Sequence, residues 1–373
     1  MIIRRLSTLA LACLFLPLIA GADELGSISF PNSGEAEAQQ AFLTGVKALH
    51  SFQFDEALES AVRDFQERHG LEADGIVGRK TLAALNVPVS ERIQQILLNM
   101  ERWRWMPGEL GERYLLVNMA GFELLAVENE ETVMDMRVII GRPYRSTPAF
   151  AGEMRYLVLN PYWNVPHKLA IEDLLPKQQS DPDYLQEKGF RIYASWRKGA
   201  RELDPGAIDW SSLSADYFPF RLRQEPAGRN ALGRVKFMFP NDVSVYIHDT
   251  PSKGLFRKPS RPFSSGCVRV EEPLALVSLL LSRQGWDQER LAAAVASNER
   301  QIIILDEPVP VYLVYMTAWA GAPGEIHFQE DIYGHDQTLA ASLARRSALQ
   351  KACRQTLGHP TYLGGAFGKG QTL

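Results

Sequence analysis

The sequence predicts a multidomain protein in which a small α-helical domain precedes a mostly-β domain with a few helices and a capping insertion. Three observations predict it. The 373 residues exceed what one small core needs. Apolar spacing is helical up to about Trp105, then turns into short apolar or alternating runs broken by Gly and Asn. Between Asn160 and Val235 neither period holds, and the chain is dense in Pro, Asp, Arg and Tyr, as in the long excursions that compact domains reserve for function. A content of 46% hydrophobic and 23% charged residues is ordinary for a globular protein, and the formal charge of −4 shows no basic excess for a nucleic-acid partner.

Residues 1–22 are expected to be a signal peptide. Arg4 and Arg5 form a short positive region, Leu6 to Ala20 an apolar run, and Ala20-Gly21-Ala22 a small-residue cleavage site. The run is short for a retained anchor helix, which is the alternative, and no later segment has the apolar length to span a membrane. The neighbours of Cys13 fit a lipoprotein signal poorly. Cleavage would remove Arg4, Arg5 and Cys13, leaving a mildly acidic exported chain with two cysteines, Cys267 and Cys353. In an oxidising compartment such a pair commonly forms a disulfide. The surroundings of Cys267 point instead to chemistry.

Residues 23–53 are read as a flexible lead and 54–88 as a compact helical domain. Leu58, Ala61, Val62 and Phe65 fall on one helix face, Gly70 is placed to cap it, and Asp74-Gly75-Ile76-Val77-Gly78 is a tight loop whose glycines can take positive φ. Thr81 to Leu85 adds a helical turn before Pro88. Residues 89–112 form a helical connector with Ile93, Leu97 and Met100 on one side. Trp103 and Trp105 lie near its end and are read as a docking contact rather than a ligand platform.

The mostly-β domain is expected over 113–335. Strands are read at Tyr114 to Val117, Phe122 to Val127, Val133 to Ile140, Leu157 to Leu159, Val235 to Phe239, Val243 to Ile247, Gln301 to Leu305 and Val311 to Tyr315. Helices are read at Pro273 to Leu281 and about Asp287 to Ala296. The capping insertion covers about 165–234. Residues 336–373 carry Arg345, Arg346, Lys351, Arg354 and Lys369 with no acidic residue after Asp336, and are read as a loosely ordered basic tail suited to an anionic wall or membrane surface.

Chemistry gathers at two segments. Tyr246-Ile247-His248-Asp249-Thr250 ends a strand, and nineteen residues after His248 comes Cys267, within Ser264-Ser265-Gly266-Cys267-Val268-Arg269. A free thiol with pKa about 8.5 is mostly protonated at neutral pH, and an imidazole within hydrogen-bond reach can take its proton. Gly266 lets the backbone approach a substrate, so that the N–H groups of Gly266 and Cys267 face the oxyanion of a tetrahedral intermediate.

Two resemblances follow from these residues. AVRDFQERHGLEADGIVGRKTLAALN, from Ala61 to Asn86, resembles the helical peptidoglycan-binding module of many cell-wall enzymes; a three-helix spacer without ligand affinity is the alternative. The His248 and SSGCVR segments resemble the signature of L,D-transpeptidases of the YkuD fold, especially the longer envelope enzymes of the YcbB type. That likeness extends over ILLNMERWRWMP (Ile96 to Pro107), NPYWNVP (Asn160 to Pro166), HDTPSKGLF (His248 to Phe256) and VYLVYMTAW (Val311 to Trp319).

The resemblance implies Cys267 as nucleophile and His248 as base, with the backbone carbonyl of Asp249 orienting the imidazole. Ser265 and Gly266 would shape the oxyanion hole, and Arg269 and Arg261 would meet substrate carboxylates; a structural or surface charge is the alternative for each arginine, and the more so for Arg261. Ser265 stands where many relatives have His, and Arg269 where some have Asn. It implies attack on a peptidoglycan tetrapeptide stem, release of D-Ala, and transfer of the acyl group to an amine to form a 3→3 cross-link in the periplasm or cell envelope. A carbapenem is the expected covalent inhibitor. Hydrolysis or D-amino-acid exchange on the same stems, and a non-catalytic wall-binding protein, are the alternatives.

No cofactor or metal is implied, since there is no HExxH and no paired-Cys spacing. Ser195-Trp196-Arg197-Lys198 matches the S-x-x-K of serine acyltransferases, but no K-T-G follows.

Overall fold

The computed structural model describes residues 56–321 and 325–356. The expected signal peptide and nearly all of the flexible lead lie outside them, as do residues 357–373 of the tail. The chain divides into two compact units, the first containing 56–67 and Ala73–Arg92, the second Arg68–Glu72 and the chain from Ile93 onward.

In the first unit α1 (Glu56–Arg68) and α2 (Arg79–Leu85) flank the glycine loop. Leu58, Val62 and Phe65 are half-buried while Ala61 is exposed. The buried residue of α1 is a polar one, Gln66. Its amide donates to Asp74 Oδ1 at 2.8 Å and to the Ile76 carbonyl at 2.9 Å, and it accepts from the Gly75 N–H at 2.8 Å. Gly75 takes φ +77°, so the loop uses glycine where the backbone turns left-handed.

Helix α3 (Val89–Trp103) carries the connector sequence into the second unit. The expected apolar side faces outward: Ile93, Leu97, Met100, Trp103 and Trp105 are all exposed. The buried side is Leu98, Asn99 and Arg102. Asn99 exchanges hydrogen bonds with Thr317, and Arg102 pairs with Asp336 at 2.5 Å, so polar matching sets the orientation of this helix. An apolar-period reading misses such an arrangement.

The mostly-β architecture is as expected. Strands β1 (Arg113–Asn118), β2 (Glu123–Glu128), β3 (Glu131–Gly141) and β4 (Phe150–Leu159) precede the insertion; β9 (Val235–Met238), β10 (Ile247–His248), β11 (Pro262–Ser264), β12 (Val268–Val270) and β13 (Gln301–Val314) follow it. They form one sheet in the order β11-β3-β12-β10-β9-β4-β13-β1-β2, and a further β2–β3 pairing closes it on itself. Leu124, Val138, Leu157, Phe237, Ile247 and Val268 belong to one buried apolar cluster in its interior.

Two expected strands become one, since 301–305 and 311–315 both fall in β13, with a register shift between Ile304 and Val309. The expected strand 243–247 survives only as Ile247–His248. Ser244 at φ +56° and the Asn241 amide, which binds the Phe239 and Val245 carbonyls, make the preceding residues a turn.

The insertion folds as a subdomain. A sheet of β5 (Trp163–Asn164), β6 (Phe190–Tyr193), β7 (Glu202–Leu203) and β8 (Arg221–Gln224) packs with α4 (Leu175–Ser180) and α5 (Tyr184–Glu187) around its own core of Val165, Leu174, Leu185, Ile192 and Leu222. Helices α6 (Pro273–Leu280) and α7 (Gln288–Ala296) match expectation, the latter capped by Asp287. The tail does not: α8 runs from His335 to Thr356. Its Ala, Leu, Arg and Gln residues are strong helix formers, but they are not segregated into an apolar face, so no period announced the helix.

Candidate active site

Strand alternation builds the site. Along β9, β10 and β12 the residues Val235 and Phe237, Ile247, and Val268 and Val270 enter the core. The intervening Lys236, His248 and Arg269, together with Tyr246 and Cys267 just outside the strands, line a cleft of about 760 Å³. The pairing is specific: β10 lies between antiparallel β9 and parallel β12, so His248 has Lys236 across one edge and Arg269 across the other. Cys267 immediately precedes β12, and Val268 N–H donates to the Tyr246 carbonyl at 3.1 Å. The expected Cys267, His248, Ser265, Gly266 and Arg269 therefore share one cleft.

His248 is buried, and its Nδ1 lies 2.5 Å from the Asp249 carbonyl oxygen. A carbonyl only accepts, so the proton sits on Nδ1 and Nε2 keeps its lone pair. The Asp249 carboxylate is spent elsewhere, taking the Arg234 and Thr250 N–H groups and pairing with Lys253 at 2.8 Å. Burial, and then the charges of Arg269 and Lys236, push the imidazole down to about 3. It is a neutral base at physiological pH.

Cys267 is half-buried and carries a free thiol. Burial raises its pKa, opposed by hydrogen bonds from the Tyr246 backbone and hydroxyl and by the charges of Lys236 and Arg269. Lys236 Nζ also stands 3.8 Å from the centre of the Tyr246 ring, whose own centre is 5.5 Å from that of His248. The resting pair is thus a thiol and a neutral imidazole, with two cations ready to balance a thiolate once it forms.

The loop before Cys267 is held from both sides. Ser264 is buried; its hydroxyl donates to the Cys267 carbonyl at 2.5 Å and accepts from the Gly266 N–H at 3.1 Å. Thr147 donates to the Gly266 carbonyl at 2.9 Å. Gly266 takes φ +119°, a conformation closed to other residues in practice, although a Cβ there would meet nothing nearer than the Arg145 carbonyl at 3.8 Å. The expected pair of oxyanion donors is therefore corrected. The Gly266 N–H is occupied by Ser264, the Ser265 hydroxyl accepts from Arg145 at 3.1 Å, and the Cys267 N–H has no hydrogen-bond partner among the described residues.

Arg261 is corrected outright as a substrate contact. It is buried, and its guanidinium donates to the Val138, Lys258, Pro259 and Phe122 carbonyls at 2.7 to 3.2 Å. All its nitrogens are engaged in stitching β3 to the loop before β11. Arg269 does line the cleft, and its Nε is buried without a partner. Arg142, Arg145, Lys168, Lys177 and Lys236 line it too, making the walls strongly cationic. Ser195 of the S-x-x-K match accepts the Arg197 N–H at 3.3 Å and is not among the cleft residues. Among the described residues no three His, Cys, Asp or Glu side chains converge as metal ligands, and no helix is long and apolar enough to cross a membrane.

Sequence reading missed Lys236, Ser264, Arg145 and Thr147. Strand alternation carries a signal for Lys236, one residue before Phe237. Arg145 and Thr147 come from a turn some 120 residues before the thiol and carry none.

Residues 112–304 match the family described as "L,D-transpeptidase catalytic domain", and residues 51–85 the family described as "Putative peptidoglycan binding domain". A Haemophilus influenzae protein named "Putative L,D-transpeptidase" is 36% identical over 266 residues, 70% of this chain and 53% of that protein. The chain thus spans about half the length of the curated relative it matches. Similar solved structures include an L,D-transpeptidase from Xylanimonas cellulosilytica (16% identity, TM-score 0.26, 78% of this chain and 99% of that one). Another is an L,D-transpeptidase from Mycobacterium smegmatis (11% identity, TM-score 0.26, 54% of this chain and 58% of that one). With a family model covering more than half its length, this chain belongs to the YkuD family of L,D-transpeptidase catalytic domains.

Proposed function

We propose that this chain is an exported L,D-transpeptidase that acts on peptidoglycan tetrapeptide stems through a Cys267 acyl-enzyme. The observation that carries the reading is the single cleft shared by the Cys267 thiol and a His248 whose tautomer the Asp249 carbonyl fixes. In this reading Nε2 of His248 accepts the thiol proton as sulfur attacks the carbonyl carbon at the L-centre of the third stem residue. The Cys267 N–H faces the developing oxyanion. The C–N bond to D-Ala breaks, and the amine leaves with the proton held by His248. An amine from a second stem then attacks the thioester: a C–N bond forms, the C–S bond breaks, and the proton of the amine returns through His248 to sulfur. Cationic walls suit the carboxylates of both stems. The helical domain at 54–88 would hold the enzyme on the wall, and residues 1–22 would direct it to the periplasm.

The test is incubation with purified disaccharide-tetrapeptide and mass analysis of the products. Release of D-Ala with a cross-linked dimer supports the reading, whereas tripeptide alone makes the chain an L,D-carboxypeptidase. A carbapenem should add one mass to the wild type and none to Cys267→Ala. An adduct on a serine would overturn the cysteine mechanism. Cys353 lies in α8, where its side chain is outside the described residues, and Cys353→Ala should leave D-Ala release nearly intact.

A further inference from the structure

The chain enters the capping subdomain at Asn160–Pro161 and leaves it at Asn230–Arg234, and both crossings are stitched by buried asparagines. Asn160 donates to the Ala294 and Glu299 carbonyls, and Asn230 to those of Pro161 and Glu225. Away from this base, the hydrogen bonds between the subdomain and the β-domain among the described residues are those of one side chain, Arg145. It follows β3 in a short 3₁₀ turn. Its Nη1 and Nη2 take the two Asp173 oxygens at 2.7 and 2.9 Å as a fork, and Nη2 takes Glu172 at 2.6 Å. The same Nη1 donates to Ser265, two residues before the thiol, at 3.1 Å. Glu172 and Asp173 lie in a π-helical turn, Ala170–Leu174, a widened geometry common at functional sites. Around it Pro166, Leu169 and Leu174 give the cleft an apolar wall.

We infer that the Arg145–Asp173 pair is a latch that sets the acceptor choice of the acyl-enzyme, favouring an amine over water. This rests on the proposed transpeptidation. With the latch closed, the apolar wall is held in the same cleft as the nucleophile loop and limits water near the thioester. A stem amine still gains entry through the binding energy of its carboxylates on the cationic walls. With the latch open, water reaches the carbonyl: an O–C bond forms, the C–S bond breaks, the product is a carboxylate, and the proton returns to sulfur through His248. The fixed base and the ionic mouth make the subdomain a flap, hinged on amides and closed by charge. Arg145 is a positioning residue here, acting through Ser265 and Asp173.

Asp173→Asn tests it, because it removes the charge from the cap side and leaves Arg145 beside Ser265. The full chain is given disaccharide-tetrapeptide as both donor and acceptor, and the ratio of hydrolysed tripeptide to cross-linked dimer is read by mass per D-Ala released. That ratio is independent of acylation rate. It should rise about tenfold in Asp173→Asn, the scale of one lost charge-assisted hydrogen bond, and return toward wild type in Asp173→Glu. Hydrogen exchange on the intact protein should quicken both at 170–174 and at 264–267. An unchanged ratio overturns the latch, whatever the exchange at 264–267 shows, while leaving transpeptidation standing. A wild type that releases no D-Ala overturns transpeptidation itself and the latch with it.

Discussion

His248 Nδ1 is held 2.5 Å from the carbonyl oxygen of Asp249, so the ring presents Nε2 as an acceptor without the help of a carboxylate. Its folded-state pKa of about 3 lies below the ordinary 6.5. Folding therefore favours the neutral ring; that stability is present above pH 6.5 and is lost as pH falls toward 3. For catalysis, carbapenem acylation should stay flat from about pH 5 to 8, with no inflection near the usual histidine value. His248→Ala should slow acylation by roughly 10²–10⁴-fold at neutral pH. Recovery should begin only above the ordinary thiol range, because burial raises the Cys267 pKa. Stopped-flow acylation across pH checks both, and an inflection near 6.5 would mean that His248 titrates at the ordinary histidine value and is not held neutral by burial.

Lys236 and Arg269 flank His248 from the two neighbouring strands and lower the pKa of the Cys267 thiol against burial. Lys236→Met removes one of those two charges and leaves the Tyr246 hydrogen bonds and Arg269 in place. Its alkylation profile with iodoacetamide should shift to higher pH, and the rate at pH 8 should fall by roughly threefold to tenfold. An unshifted profile would mean that Lys236 serves only the Tyr246 ring.

Much of this was legible in the chain because the informative features are local. The turn glycines, the strand alternation and the His248 and SSGC segments each lie within a few residues. The misreadings of Arg261 and of α3 have one cause, partners distant in sequence. Whether Arg261 faces substrate or backbone depends on Phe122 and Val138 carbonyls some 120 to 140 residues away. Whether α3 buries its apolar side depends on Thr317 and Asp336, more than 200 residues away. The Gly266 N–H was close enough to judge, but its hydroxyl acceptor could be assigned to Ser264 only from loop geometry.

Arg261 should behave as a structural residue. Arg261→Ala strips hydrogen bonds from four backbone carbonyls and should cost about 3 kcal/mol or more in urea unfolding. The folded fraction should retain wild-type KM for the stem. Arg269→Ala should do the opposite, raising KM with a smaller change in stability. Both are read from one urea titration and one substrate series. A raised KM without destabilisation in Arg261→Ala would return it to the substrate site.

Ser264 and Gly266 separate loop geometry from thiol chemistry. Ser264→Ala removes the hydroxyl that ties the Cys267 carbonyl to the Gly266 N–H. The thiol keeps Tyr246, Lys236 and Arg269, so iodoacetamide should still alkylate Cys267 at close to the wild-type rate. On the proposed mechanism turnover depends on where the Cys267 N–H points, and should fall by roughly 10–10²-fold, the scale of a displaced oxyanion donor. Gly266→Ala should show the same divergence more strongly. Its Cβ has room, but φ +119° strains any other residue by about 1–3 kcal/mol, which the loop can relieve by turning the Cys267 N–H away. Alkylation and D-Ala release measured on the same preparations give the answer. Equal losses in both would mean that these residues support the thiol itself and not the oxyanion.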